Sequence, residues 1–132
     1  KPQQGVMIMA RIVLIEDNAL NARLAERLLV KAGHEVETLT DGEQGYAHIL
    51  ENPPDIVLLD LGLPDVDGQT IAAMIRQNPA LYHLPIVAFT AWPEAMATEI
   101  AEAYGCDGVI HKPIDTRRFA QQVEGFLPLG QF

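Results

Sequence analysis

DIVLLDLGLPDVDG (Asp55–Gly68) carries four consecutive aliphatic residues into an aspartate, Asp60, and then breaks into a loop of Gly, Pro and Asp. The run Ile56-Val57-Leu58-Leu59 has no polar alternation, which is the pattern of a strand covered on both faces. The arrangement recurs along the chain. IVLI (12–15) runs into Glu16-Asp17, IVAF (86–89) into Thr90, and VI (109–110) into His111-Lys112. Apolar runs that each stop on a polar or charged group call for one common explanation.

Between these runs lie helix-like segments. Asn18 is placed to cap a first helix in which Leu20, Leu24 and Leu28 recur every four residues, with Gly33 as its terminating glycine. EVETLT (35–40) is a shorter strand with two glutamates. Tyr46, Ile49 and Leu50 mark the apolar face of a second helix, which stops before Pro53-Pro54. Ile71, Met74 and Ile75 define a third, ended by Asn78-Pro79. Met96, Ile100, Ala103 and Tyr104 line a fourth, closed at Gly105, and Phe119, Val123 and Phe126 mark a fifth. The strands are expected over 11–16, 35–40, 55–60, 85–90 and 108–112.

Five alternating strand–helix units imply an α/β protein with a parallel sheet and helices on both faces. The first, third and fourth runs are apolar throughout and belong inside the sheet. The glutamate-bearing second and the short fifth suit its edges. The simplest order is therefore 2-1-3-4-5, the flavodoxin-like (βα)5 doubly wound class. In that order the chain reverses direction between strands one and three, and ligands bind at the carboxyl ends beside the reversal. Glu16-Asp17 and Asp60 end those two strands, so three acids are expected in one crevice.

Composition sets the outer bounds. The 132 residues fit one domain, here 10–127, with 1–9 read as a cloning remnant or linker and 128–132 as a C-terminal tail. Met9 reads as a natural start. Nine Lys/Arg against eighteen Asp/Glu, net −9, exclude a nucleic-acid surface. Arg117-Arg118 reads as solvated surface. A single cysteine, Cys106, rules out an internal disulfide framework and fits a reducing cytoplasm; a small buried or half-buried thiol is expected. No apolar run is long enough to cross a bilayer.

Three carboxylates in one crevice repel, at roughly 4 kcal/mol for two unit charges about 4 Å apart at an effective dielectric near 20. A hard divalent cation relieves this, and an all-oxygen site with few carboxylates and room for water or phosphate favours Mg²⁺ over a closed Ca²⁺ cage. The four histidines are scattered (34, 48, 83 and 111), most of them expected on the surface or on helix faces, and they offer no zinc site. Thr90 and Lys112 end two further strands on the same rim. A hydroxyl and an ammonium beside a carboxylate–metal cluster form a receptor for a tetrahedral oxyanion. Asp60 is then placed to attack a phosphoryl group in line and hold it as an acyl phosphate.

These pieces, taken in order, resemble the receiver (CheY-like) domain of bacterial two-component response regulators: IED (15–17), DLGLPDVDG (60–68), TA (90–91) and KP (112–113). The resemblance covers about Ala10 to Leu127. It implies that Asp60 accepts a phosphoryl group from a histidine kinase or histidine phosphotransfer protein and so switches the binding of a downstream effector protein. It implies Mg²⁺ held by Asp17, Asp60 and the Gly62 carbonyl, with Glu16 acting through metal-bound water. Thr90, Ala91 and Lys112 would contact the phosphoryl group, and Lys112–Pro113 would be a cis peptide. The domain would be a cytoplasmic signalling module that catalyses only its own phosphorylation and dephosphorylation. It would stand alone, act in a relay, or belong to a longer kinase or regulator.

One position departs from the family pattern. Val109 stands where Tyr or Phe is usual, which puts the ordinary route from Thr90 to the outer surface in doubt; His111, on the same strand face by alternation, reads first as a plain edge residue and second as a partial substitute for the ring. Trp92 reads equally as an exposed partner contact or as core. Rival chemistries lack their signatures. A haloacid-dehalogenase-type phosphatase needs a second aspartate where Gly62 stands. A flavodoxin needs a Ser/Thr/Gly phosphate loop where EDNALN stands, and no P-loop is present. The serious rival is a receiver-fold interaction module that does not use phosphorylation, against which the intact Asp17, Asp60, Thr90 and Lys112 argue.

Overall fold

Alternation of apolar strands and helices resolves, in a computed structural model describing residues 9–128, into β1 (Arg11–Ile15), α1 (Ala19–Lys31), β2 (Glu35–Leu39), α2 (Gly42–Glu51), β3 (Ile56–Leu59), α3 (Gly68–Gln77), β4 (Ile86–Thr90), α4 (Glu94–Tyr104), β5 (Gly108–His111) and α5 (Phe119–Glu124). The expectations placed on 1–8 and 129–132 lie outside the described residues. All strand pairs are parallel and the order is β2-β1-β3-β4-β5. The flavodoxin-like order read from strand polarity is the observed one. Each strand ends one residue short of its expected polar terminus except β4, because the sheet dissolves into the site loops there.

Because successive strand residues point to opposite faces, the sheet builds two cores. Ile12, Leu14, Leu58 and Phe89 pack with Leu29 of α1 and Phe119 and Val123 of α5. Val13, Ile15, Leu59 and Ile86 pack on the other side with Ile49 of α2 and Ile71 and Ile75 of α3. A smaller cluster of Leu61, Ala88 and Ala101, with Cys106 and Val109 at its margin, seats α4. Cys106 is half-buried as expected, and burial pushes its thiol up to about 11.

Helix existence matched the reading, but several helix faces did not. In α1 the buried residues are Ala22, Ala25 and Leu29, whereas Leu20 is 77% exposed and Leu24 38%. A four-residue spacing advances by about 40° per step on a helix, so the leucine series starts opposite the face that Ala22, Ala25 and Leu29 share and nears its edge only at Leu28. In α4, Ala97 and Ala101 are buried while Met96 and Tyr104 point outward. Alanine at both contact faces lets the helix sit close to the sheet, and the longer side chains are displaced to the flanks. Leu50 and Met74 are likewise largely exposed.

The ends follow the chemistry of caps. Asn18 accepts from the Asn21 amide at 2.9 Å, and Asp41 accepts from Gln44 at 2.8 Å. Gly33, one residue past the C-cap Ala32, takes a φ of 102°, and Gly105 closes α4 at 86°. Two long-range fixtures hold the layers. The Arg76 guanidinium donates to the carbonyls of Gly105, Tyr82 and Leu84 and to the Asp107 carboxylate, which also receives the Ile86 amide. His48, His83 and His111 lie on a helix face or at the surface as expected of most histidines, and His34 is the buried exception. Its Nδ1 accepts from the Ala10 amide, so its Nε2 proton is the one shared with Glu124, at 2.7 Å.

Candidate functional site

Glu16 and Asp60 arrive side by side because the ladder runs one residue past β1 and β3. Ile15 pairs with Leu59, the Asp60 amide donates to the Ile15 carbonyl at 3.0 Å, and the Glu16 amide donates to Leu39 at 3.0 Å. Carboxylate oxygens of Glu16, Asp17 and Asp60 all lie within 4.8 Å of one another. Glu16 and Asp60 are buried, while Asp17 is exposed at the mouth. The three acids foreseen at the chain reversal are together.

Among the described residues one cation answers them. Lys112 Nζ lies 2.5 Å from Glu16 Oε1 and 3.6 Å from Asp60 Oδ2, and 4.9 Å from the centre of the Phe89 ring. Glu16 Oε2 accepts from the Asn18 amide at 3.0 Å, and Asp60 Oδ1 accepts from the Gly62 amide at 2.9 Å. Burial raises the Glu16 pKa above its ordinary value, opposed by the hydrogen bond from Lys112. Three acids against one ammonium leave negative charge in excess. The donors are all oxygen, the set that a hard divalent cation prefers, so the residues present fit such an ion.

The rest of the predicted set surrounds this cluster. Thr90 is buried at the end of β4; its Oγ1 accepts from the Trp92 amide at 3.0 Å. The Lys112 amide donates to the Thr90 carbonyl at 2.8 Å, so the ends of β4 and β5 are tied together. Ala91 is exposed next to Thr90, and the Lys112–Pro113 bond is cis. In the β4–β5 register Val109 stands opposite Ala88 and His111 opposite Thr90. Val109 is half-buried and His111 exposed.

Two features escaped the sequence reading, and a third, Trp92, is read there as either partner contact or core. Trp92, half-buried, packs on the Leu61–Ala88–Ala101 cluster, and a Cβ built on Gly62 would lie 4.0 Å from its Nε1 and 3.8 Å from Asp60 Oδ1. The indole therefore belongs to the wall of the site as well as to the core. Asp65 accepts from the amides of Gly42 and Glu43 at 2.9 and 3.0 Å, pinning the Asp60 loop to the start of α2, and these bonds hold its carboxyl below the usual range. Gly68 lies so close to the loop that a Cβ there would sit 2.1 Å from the Asp60 carbonyl oxygen. The DVDG tetrapeptide was the available signal for the last two.

Known proteins share both sequence and shape with this chain. A model of the response regulator receiver domain matches residues 12–124. The chain belongs to the response regulator receiver family. It is therefore a receiver domain of two-component signalling, a family of signalling domains that bind a divalent metal, and the Glu16–Asp17–Asp60 cluster could hold one. The polar-differentiation response regulator DivK of Brucella anthropi is 30% identical over 88% of this chain and 94% of its own length. A putative response regulator from Chloroflexus aurantiacus superposes with a TM-score of 0.86 at 28% identity, over 90% of this chain and 98% of that one. The phosphorylated cyanobacterial phytochrome response regulator RcpA gives 0.74 at 29% identity, over 89% and 91%. Among the described residues no helix is long and apolar enough to cross a membrane.

Proposed function

We propose that this receiver accepts a phosphoryl group on Asp60 from a histidine kinase or histidine phosphotransfer protein in the cytoplasm, and that the acyl phosphate changes its affinity for a downstream effector. The observation that carries this reading is the Asp60 carboxylate beside two further acids, with the Lys112 ammonium 3.6 Å from its Oδ2. The structural likeness to a phosphorylated response regulator, RcpA, supports it.

Asp60 is held by one oxygen: Oδ1 takes the Gly62 amide, which leaves Oδ2 toward Lys112 as the attacking atom. Attack in line on the donor's phosphorus forms the aspartyl O–P bond and breaks the donor's N–P bond. The imidazole leaves with that electron pair. Lys112 then draws away from Glu16 to meet the new phosphoryl oxygens. The Thr90 oxygen already accepts from Trp92, so its own proton is available to donate to the phosphoryl group. Ala91 offers its backbone amide beside it. Asp17, Asp60 and the Gly62 carbonyl would hold Mg²⁺, with Glu16 behind them. Bound there, the ion supplies charge neutralisation between the acids and the incoming phosphoryl oxygens.

The test is labelling of the whole chain with acetyl phosphate and Mg²⁺, read on a phosphate-retarding gel. Wild type is expected to shift and Asp60→Asn to stay unshifted. Equal labelling of the two proteins would remove Asp60 as the acceptor.

A further inference from the structure

A helix leaves the N–H groups of its first turn without intrahelical partners, and those of α2 are met by two carboxylates from different parts of the chain. Asp41, the N-cap, accepts from Gln44 at 2.8 Å. Asp65, 23 residues from Gly42 in sequence, accepts from Gly42 and Glu43 at 2.9 and 3.0 Å. The Asp65 side chain is exposed, so it fills no space in the core.

The loop that carries Asp65 is otherwise closed on itself. The Gly62 amide donates to Asp60 Oδ1, the Gly68 amide to the Leu61 carbonyl at 3.2 Å, and the Asp67 carbonyl accepts from Thr70 and Ile71. Among the described residues the two Asp65 bonds are the only hydrogen bonds from Gly62–Val66 to another element. Packing adds one further hold. A Cβ on Gly42 would lie 3.1 Å from Ile71 Cγ1 and 3.4 Å from Leu63 Cδ1, so the start of α2 rests against Leu63, which is buried with Ile49 and Ile71. Gly62 has no such hold. It is exposed, and a Cβ on it would meet nothing nearer than 3.8 Å. Glycine is also the residue freest to turn, so the direction of its amide and carbonyl depends on its neighbours in the loop.

We propose that Asp65 is a positioning residue for phosphoryl acceptance: by tying the loop tip to α2 it fixes Gly62, and through Gly62 the Asp60 carboxylate and the oxygens offered to Mg²⁺. This rests on the reading of Asp60 as the acceptor. Without the two bonds Leu63 still packs and the chain still folds, but the Gly62 amide is free to leave Asp60 Oδ1.

The test compares wild type with Asp65→Ala, Asp65→Asn and Asp41→Ala, each as the whole chain, at a temperature where urea midpoints show all of them folded. Exchange of the Gly62 amide with water is read without metal. Mg²⁺ affinity is read by the fluorescence of Trp92, the single tryptophan, which stands beside Gly62. Labelling by acetyl phosphate is timed on the gel. Asp65→Ala is expected to speed exchange at Gly62 and to reduce both Mg²⁺ affinity and labelling rate by about tenfold. Asp65→Asn loses the same charge but keeps one acceptor oxygen, and is expected to fall between. Asp41→Ala removes a cap from the same helix without touching the loop; it is expected to lower the urea midpoint and leave the other readings at wild-type values. The proposal is overturned if Asp65→Ala keeps wild-type exchange at Gly62 and wild-type Mg²⁺ affinity. It is also overturned if Asp65→Asn matches Asp65→Ala, because charge alone would then be responsible, or if Asp41→Ala shows the same losses, because helix stability would then be responsible. A wild type that takes no label would sink the acceptor reading, while exchange at Gly62 in the metal-free variants would still decide the role of Asp65.

Discussion

Glu16 and Lys112 form a pair whose energy depends on both being present. Glu16 is 1% exposed, and burial raises its pKa above the ordinary 4.5. Across the window above that value the folded protein holds a proton that the unfolded chain has released. The contribution of Glu16 is thus fully present below pH 4.5 and lost as pH rises through the folded value. Lys112→Met removes the opposing hydrogen bond and raises that value further. In metal-free buffer the variant is expected to lose about 3 kcal/mol near neutral pH, with the deficit shrinking toward pH 4.5; urea midpoints at two pH values check this. Gly68 is a separate constraint. A methyl group there meets the Asp60 carbonyl oxygen at 2.1 Å and Leu61 Cα at 2.7 Å, both backbone atoms of the site loop. Gly68→Ala is expected to cost about 3 kcal/mol in the same measurement, through displacement of the loop that carries Asp60.

At the scale of elements, the strand ends were legible and the helix faces only partly so. Asp17, Asp60, Thr90 and Lys112 could be placed because parallel-sheet topology brings strand termini to one rim whatever lies between them. The face of α1 could not, because leucine outweighs alanine in any apolar count while alanine allows the closer approach, as Ala22 and Ala25 do here. Arg76 was invisible for another reason: most of its partners are carbonyls of residues outside its own helix, and backbone groups carry no side-chain signature. Arg76 joins the end of α3 to the cap of α4 and the start of β5. Arg76→Ala leaves the Gly105 and Leu84 carbonyls without that donor and is expected to cost about 3 kcal/mol. Faster amide exchange at the α4 cap, around Cys106, would accompany the fall in urea midpoint.

For the molecule as a whole, a ligand that binds the native state alone adds to its stability by mass action. Mg²⁺ at about 100 times its Kd is expected to contribute about 2.7 kcal/mol, seen as a rise in Tm that EDTA reverses. Asp17 is exposed, so Asp17→Asn is expected to fold normally yet lose most of that rise. A rise undiminished by the substitution would put the ion elsewhere.

Among the described residues the sheet is open on both sides, at β2 and at β5. Open borders offer unpaired amides and carbonyls on which stray strands can template, the first step toward aggregation. The two borders are guarded differently. Along β2, Glu35 and Glu37 stand exposed and repel an approaching copy, whereas β5 spans four residues before Pro113, which lacks an amide proton, interrupts the chain. Solubility at high concentration should therefore fail first in the double variant Glu35→Thr, Glu37→Thr, in which the border along β2 is left undefended.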